Sequence, residues 1–348
     1  MNIFVGNNAQ GKTNILESLV ILSLTKSHRL GINPNIIMFN KKKTKIKGVI
    51  RKDDIISKLE FEQDEDSKKF YLNNNKINKI ADYISNMTTI IFTPDDLEII
   101  KDSPNVRRNL LNIQLSQISK LYLNTYNQYN KILKNRNEYL KILYSNGLAD
   151  KNYLDILTDK LIEKAVIIYK LRNEYINNIN KVISKNYNLI SSVGFLEIKY
   201  LPNIDVNNYE DEEITKKLKN IINKNYDREI RNGMTLYGPH RDDFLFLLDN
   251  KDLKYFGSQG QQRLAVLSFK LSEIGIFEEY TNTKPILLLD DIFSEFDVKK
   301  RNNILKYINN CDIQSILTTT DLKNINKRYI KDAYIFEVIN GKIERKMY

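Results

Sequence analysis

Short apolar runs open and close this chain, and between them the spacing of apolar positions widens to that of long helices. Asn2-Ile3-Phe4-Val5 runs straight into a glycine turn, and the pattern from Thr13 to Leu24 is helical, which predicts strand, loop and helix in that order. From Lys45 to Ile77 three segments alternate apolar with polar: Lys45 to Arg51, Ile56 to Gln63 and Phe70 to Leu72. Asp53-Asp54 and Asn73-Asn74-Asn75 separate them as turns, so the stretch predicts a β-meander. Thr88 to Phe92 is a further apolar, β-branched run, and Pro94 stops it.

Beyond Pro104 the period changes. Ile118, Tyr122, Thr125, Tyr129, Ile132, Tyr139 and Leu143 fall three or four residues apart, with Arg136 the one polar intruder. Ser145-Asn146-Gly147 breaks this helix, and Leu154, Leu157, Leu161, Ala165, Ile168, Tyr175, Ile179 and Val182 resume the spacing. Two packed antiparallel helices follow, either as a projecting arm or as part of an ordinary globular core. From Met234 strands return: Phe244 to Leu248, the turn Asp249-Asn250, and Leu253 to Phe256, then a helix beginning near Gln259. Ile286 to Leu289 and Ser315 to Thr319 read as buried strands, and Tyr334 to Ile339 and Lys342 to Arg345 flank the hairpin turn Asn340-Gly341. The expected architecture is an α/β lobe built from residues 1–103 and 234–348, with a helical lobe, 104–233, inserted between them.

The strand and helix at the start frame the first candidate site. Gly6-Asn7-Asn8-Ala9-Gln10-Gly11-Lys12-Thr13 has two glycines five positions apart, then Lys and Thr, as a phosphate-binding loop requires. Backbone N–H groups of such a loop converge on phosphate at a helix N-terminus. Lys12 would reach the β- and γ-phosphates of ATP, and the Thr13 hydroxyl would bind Mg2+. Ile286 to Leu289 ends in Asp290-Asp291, where a parallel-sheet nucleotide fold presents its ligands. Asp290 would orient the magnesium shell and Asp291 would polarise an attacking water. His240 and Arg241 precede Asp242-Asp243 in a Gly-Pro loop, but one histidine without metal-ligand companions or a nucleophile reads as structural.

A formal net charge of +11 favours a polyanionic partner, although abundant Lys, Asn and Ile also fit a compositional bias. Lys41, Lys42, Lys43, Lys45 and Lys47 form one of the densest basic runs and are the candidate DNA contacts. Cys311 is the single cysteine, and the start lacks the layout of a secretory signal, which fits a reducing cytoplasm. No apolar run approaches the roughly 20 residues that cross a bilayer.

Ser258-Gln259-Gly260-Gln261-Gln262-Arg263, between the phosphate loop and the acidic pair, looks like the signature of ABC ATPases. It also reads as a helix cap, with Ser258 and Gln261 forming a capping box. With these three elements in this order, the chain resembles the RecF family, relatives of the chromosome-maintenance ATPases with a far shorter helical insertion. The resemblance runs from Gly6 to the carboxyl end. It is carried further by Phe92-Thr93-Pro94-Asp95-Asp96-Leu97, Ser103-Pro104 with Arg107-Arg108, Gly238-Pro239-His240-Arg241-Asp242-Asp243, and Leu287 to Asp297.

The resemblance implies an ABC-type ATPase lobe and an ATP-dependent homodimer. In it Ser258, Gln259, Gly260 and Gln261 of one subunit complete the nucleotide site of the other. It also implies that Ser294-Glu295-Phe296-Asp297 crosses the dimer interface, that Thr318-Thr319-Thr320 holds the switch position, and that DNA (duplex, or a single/double-strand junction), RecR and RecO are partners in recombinational repair. An alternative is an ATP-gated DNA clamp with negligible turnover. An ABC-linked nuclease would need a metal-binding domain for which the stretch from Asp297 to Tyr348 is too short. Two departures stand out. Family members carry a strand and hairpin ahead of the phosphate-loop strand, where this chain begins, which implies a shortened amino terminus and fewer nucleotide contacts. Asp291 stands where most ABC ATPases have glutamate, a feature shared with the RecF family, and its shorter reach implies slow hydrolysis.

Overall fold

A computed structural model of the chain describes residues 1–29, 36–52, 54–84, 86–145, 150–191, 193–323 and 325–346. Asp53, Asn146 and Gly147, expected in turns, lie outside the described residues. Two compact units emerge: Met1–Leu97 with Val182–Gly194 and Ser258–Tyr348, and Glu98–Lys181 with Phe195–Gly257.

The first unit is built on a six-stranded sheet in the order Lys342–Lys346, Tyr334–Ile339, Asn2–Val5, Ser315–Thr319, Ile286–Leu289, Thr89–Phe92. All neighbours pair in parallel except the hairpin at Asn340-Gly341. Leu287, Leu288 and Leu289 are fully buried, as strands covered on both faces must be. The β-meander forms a separate four-stranded antiparallel sheet, Lys43–Lys52, Ile55–Asp64, Lys68–Leu72 and Asn75–Ile77. The helix Lys12–Leu24 reads KTNILESLVILSL, apolar nearly all round, and such a helix needs cover on every side. Leu16 and Val20 pack on Leu288 and Ile316 of the parallel sheet, while Ile21 and Leu22 join Leu59, Phe61 and Phe70 of the meander. The phosphate-loop helix is thus clamped between two sheets. Strand Lys43–Lys52 approaches it so closely that a Cβ at Gly48 would sit 2.8 Å from Leu22 Cδ1.

The second unit holds helices Pro104–Ile118, Lys120–Ser145, Lys151–Asn180, Asp211–Lys224 and Tyr226–Asn232, with an antiparallel sheet of Leu196–Leu201, Asp243–Leu248 and Lys251–Asp252. Its two longest helices run antiparallel, since Arg136 bonds Thr158 while Tyr122, further back, bonds Arg172. Arg136 is fully buried: it donates to Thr158 Oγ1 at 2.9 Å, Thr235 Oγ1 at 2.7 Å and Glu229 Oε2 at 2.7 Å.

Three features differ from the sequence reading. Leu253 to Phe256 is a helix rather than a strand, because the Asp252 side chain caps the Lys254 N–H and the return strand is already complete at Asp252. Residues 234–257 fall in the second unit and not with the α/β lobe, because Asp243–Leu248 pairs with Leu196–Leu201. Val182–Gly194 falls in the first unit, where Asn186 donates to Ser272. Among the described residues no helix is long and apolar enough to cross a membrane.

Candidate functional site

Four parallel strands of the first unit deliver their C-terminal ends side by side: Val5 into Gly6, Thr318 and Thr319, Leu289 into Asp290, and Phe92 into Thr93. Ligands of open α/β sheets bind along this edge. Gly6 donates to the Thr319 carbonyl at 3.2 Å, and a Cβ there would lie 2.4 Å from the Val338 carbonyl oxygen, so only glycine lets the loop start here. Ala9 and Gly11 have positive φ, 64° and 96°. They turn the loop so that its N–H groups lead into the helix beginning at Lys12. The hairpin turn braces the loop, with Asn340 N–H donating to Gln10 Oε1 at 2.6 Å and Gly341 N–H to the Gln10 carbonyl at 3.0 Å.

Lys12 lies across this loop, its ammonium donating to the carbonyls of Gly6 at 2.6 Å and Asn7 at 2.9 Å. Thr13 Oγ1 donates to Asp290 Oδ2 at 2.9 Å, and Thr318 Oγ1 donates to Asp290 Oδ1 at 2.6 Å. The Thr318 hydroxyl in turn accepts from the Asp291 N–H at 2.9 Å. Asp291 sits at φ 44°, and its buried Oδ1 has no hydrogen-bond partner among the described residues. The expected loop, acidic pair and first switch threonine are thus gathered at one point. Thr319 instead donates to the Asp321 carbonyl, and Thr320 follows the strand end.

The signature segment opens the helix Gln259–Thr281 with a complete capping box: Ser258 Oγ accepts from Gln261 N–H, and Gln261 Oε1 accepts from Ser258 N–H. Ser258, Gln259, Gly260 and Gln261 lie at the exposed start of that helix. No hydrogen bond or ion pair among the described residues ties them to their own phosphate loop. Two charge pairs anchor this helix: Arg263 pairs with Glu295 at 2.5 Å, and the buried Lys270 lies 3.7 Å from Asp96. Burial raises the Asp96 carboxyl above the usual range, although Lys270 and the Thr93 N–H favour its charge.

Several groups beside the loop were missed by periodicity and spacing. Ser27 donates to Glu17, one turn beyond Thr13, and Arg29 donates to Asn14 at 2.7 Å and pairs with Glu17 at 3.4 Å. His28 between them has its pKa lowered by burial. The only sequence signal for this fold-back is a polar Ser-His-Arg run after an apolar helix. The Gly238 to Asp243 stretch is a clasp inside the second unit. Asp243 binds Arg107 through two bonds of 2.6 and 3.0 Å, Asp242 accepts from Arg172, Tyr200 and the Asn203 N–H, and the Asp242 carbonyl accepts from Arg108. His240 is held by Tyr129 and the Thr235 carbonyl, and burial lowers its pKa to about 4. It is a neutral structural imidazole, in keeping with the sequence reading. Lys45 bridges Glu60 and Glu62, and Lys47 pairs with Glu60, so cross-strand acids offset two of the five lysines of the Lys41 to Lys47 run.

Comparison with known proteins places the chain in a family. The RecF/RecN/SMC N terminal domain family matches residues 1–340. The DNA replication and repair protein RecF of Lactobacillus gasseri is 38% identical over 99% of this chain and 93% of that protein, and that of Listeria monocytogenes is 36% identical over the same shares. A solved structure of the recombination mediator protein RecF with ATP, in the RecFOR pathway, superposes with a TM-score of 0.89 at 35% identity, covering 99% of this chain and 91% of that one. An Smc head bound to the C-terminal winged-helix domain of ScpA shares the fold at 14% identity, with a TM-score of 0.53 over 99% of this chain and 89% of that one.

Proposed function

The chain belongs to the RecF family, whose members are DNA replication and repair proteins, and from that premise we propose that it is an ATP-gated DNA-binding dimer of recombinational repair that hydrolyses ATP slowly. The single observation that carries this reading is the convergence of Thr13 and Thr318 on the Asp290 carboxylate beside Lys12 and the loop Gly6 to Thr13. Thr13 Oγ1 and Asp290 are hard oxygen donors already adjacent. They suit a magnesium ion, which takes few protein ligands and fills its shell with phosphate oxygens and water. When bound, that ion supplies charge neutralisation on the β- and γ-phosphates.

The chain's own groups divide the remaining work. The loop N–H groups hold the phosphates, Lys12 offsets the charge between β and γ, and Asp291 Oδ1, with no donor of its own, accepts from and orients the attacking water. Thr318 fixes the acidic pair by bonding to both members. Gly260 supports a role in trans for the signature. A Cβ there would meet nothing within 4 Å, so its own chain gives no steric reason for glycine at that position. An approach by the nucleotide of a second subunit gives one. ATP would then close the dimer and hydrolysis would reopen it. DNA, with RecR and RecO, would be the partners.

Replacing Asp291 with Asn tests the assignment. Nucleotide binding is expected to persist while steady-state phosphate release falls by roughly a hundredfold, the scale of a lost general base. Turnover at the parent rate would move water activation to another group.

A further inference from the structure

Resting on the DNA-binding reading above, we propose that the helix Val298–Asn310, Lys323 and the segment from Ile325 to Lys331 form one cationic ridge that docks the phosphate backbone of duplex DNA. Between Val298 and Lys331 eight lysines and arginines stand against two acids, Asp312 and Asp321. Lys284 takes Asp312, Lys300 pairs with Asp297, and Arg301 donates to the Phe296 carbonyl. Lys299, Lys306, Lys323, Lys327, Arg328 and Lys331 remain exposed, with no ion pair among the described residues. In the Lys41 to Lys47 run Lys45 and Lys47 are paired with Glu60 and Glu62, which leaves Lys41, Lys42 and Lys43 as its exposed cations without an ion pair among the described residues.

These cations are not scattered. The helix buries Ile304, Leu305 and Ile308, and its stripe Lys299, Asn302, Lys306, Asn309 follows helical spacing along another face. Asn309 donates to the Tyr329 carbonyl at 2.9 Å, and Asn302 accepts from the Asn326 N–H at 3.4 Å, so this stripe meets the segment that bears Lys327 and Arg328. Lys299 and Lys306 are about 10 Å apart along the helix axis, flanking that seam. Asn326 also caps the Arg328 N–H, which holds the cationic turn in one conformation. Several unpaired cations on one surface gain affinity for a polyanion by releasing its counterions. An anionic membrane would want large apolar side chains beside the charges, and Val298 is the one exposed large hydrophobic in this span among the described residues.

The ridge also hangs from the nucleotide site. Its helix follows the loop that begins at Asp291, and its second segment continues the strand whose Thr318 holds Asp290. DNA seated here therefore bears on both elements that carry the acidic pair.

The test uses the whole chain with Mg-ATP and a short fluorescein-labelled duplex, read by anisotropy across a salt series. Three variants are compared with the parent: Lys327→Ala with Arg328→Ala and Lys331→Ala; Lys299→Ala with Lys306→Ala; and Lys41→Ala with Lys42→Ala and Lys43→Ala. The first is expected to flatten the slope of log affinity against log salt by about two to three, at about 0.9 for each phosphate no longer neutralised, and the second by about one to two. The third is expected to change it less than either. All replaced side chains are exposed, so melting temperatures should match the parent. Parent slope and affinity in both ridge variants, or loss confined to the Lys41 to Lys43 variant, would overturn the ridge while leaving DNA binding intact. A parent that binds no duplex at any salt sinks the DNA reading itself, and capture by phosphatidylserine vesicles in its place would assign the ridge to a membrane.

Discussion

Replacing Lys12 with Ala is expected to lower ATP affinity by about a hundredfold or more, and every ATP-dependent property with it. The Lys12 side chain is almost fully buried and its ammonium is fixed by the carbonyls of Gly6 and Asn7, at 2.6 and 2.9 Å. It is therefore a positioned charge, where most surface lysines are mobile ones. Hydrogen bonds to charged groups contribute about 1.5–3 kcal/mol each, and losing two such bonds to phosphate oxygens corresponds to at least a hundredfold in affinity. The fold should tolerate the change, since Leu16, Val20, Ile21 and Leu22 of the same helix keep their packing on both sheets. Equilibrium titration with a fluorescent ATP analogue reads the result, and an affinity equal to the parent's would count against the phosphate loop.

The other large effect lies far from that loop. Replacing Glu229 with Ala is expected to destabilise the second unit by about 3–5 kcal/mol, because it strands the fully buried Arg136 without its counter-ion. Glu229 also accepts from the Leu236 N–H at 2.8 Å, so a partly buried backbone donor loses its partner too. Adding Arg136→Met should recover part of the loss, since an apolar side chain of similar length removes the unpaired charge. Urea unfolding followed by helix content measures both variants. A shift below about 1 kcal/mol for Glu229→Ala would mean that the pair is hydrated and not the isolated ion pair described.

What the sequence disclosed and what it hid divide along physical lines. Strands and helices with a steady period were readable because one side of each must face a core, and the loop Gly6 to Thr13 was readable because its chemistry is local. Arg136 announced itself as a charge on an apolar stripe, but its partner Glu229 lies 93 residues away on a seven-residue helix with no periodic signal. Likewise Lys270 and Asp96 look like two surface residues until the helix Gln259–Thr281 packs on the strand Thr89–Phe92. Leu253 to Phe256 misled because four residues are too few for a period, and the capping by Asp252 decided the outcome. Residues 234–257 went to the wrong lobe for a related reason. Strand pairing across roughly 40 residues sets their unit, and pairing leaves no mark in the local pattern.

The central claim, that ATP joins two copies of this chain through the loop of one and the signature of the other, is tested most directly by sedimentation velocity with and without Mg-ATP. The parent is expected to move from monomer to dimer when ATP is added. Ser258→Arg, which places a bulky cation at the exposed start of the signature helix and leaves Gly6 to Thr13 untouched, is expected to stay monomeric while still binding nucleotide. Loss of the cap alone costs about 1 kcal/mol and lowers the melting temperature without uncoupling ATP from association. A parent that remains monomeric at saturating ATP, or a Ser258→Arg variant that dimerises as the parent does, would contradict the account.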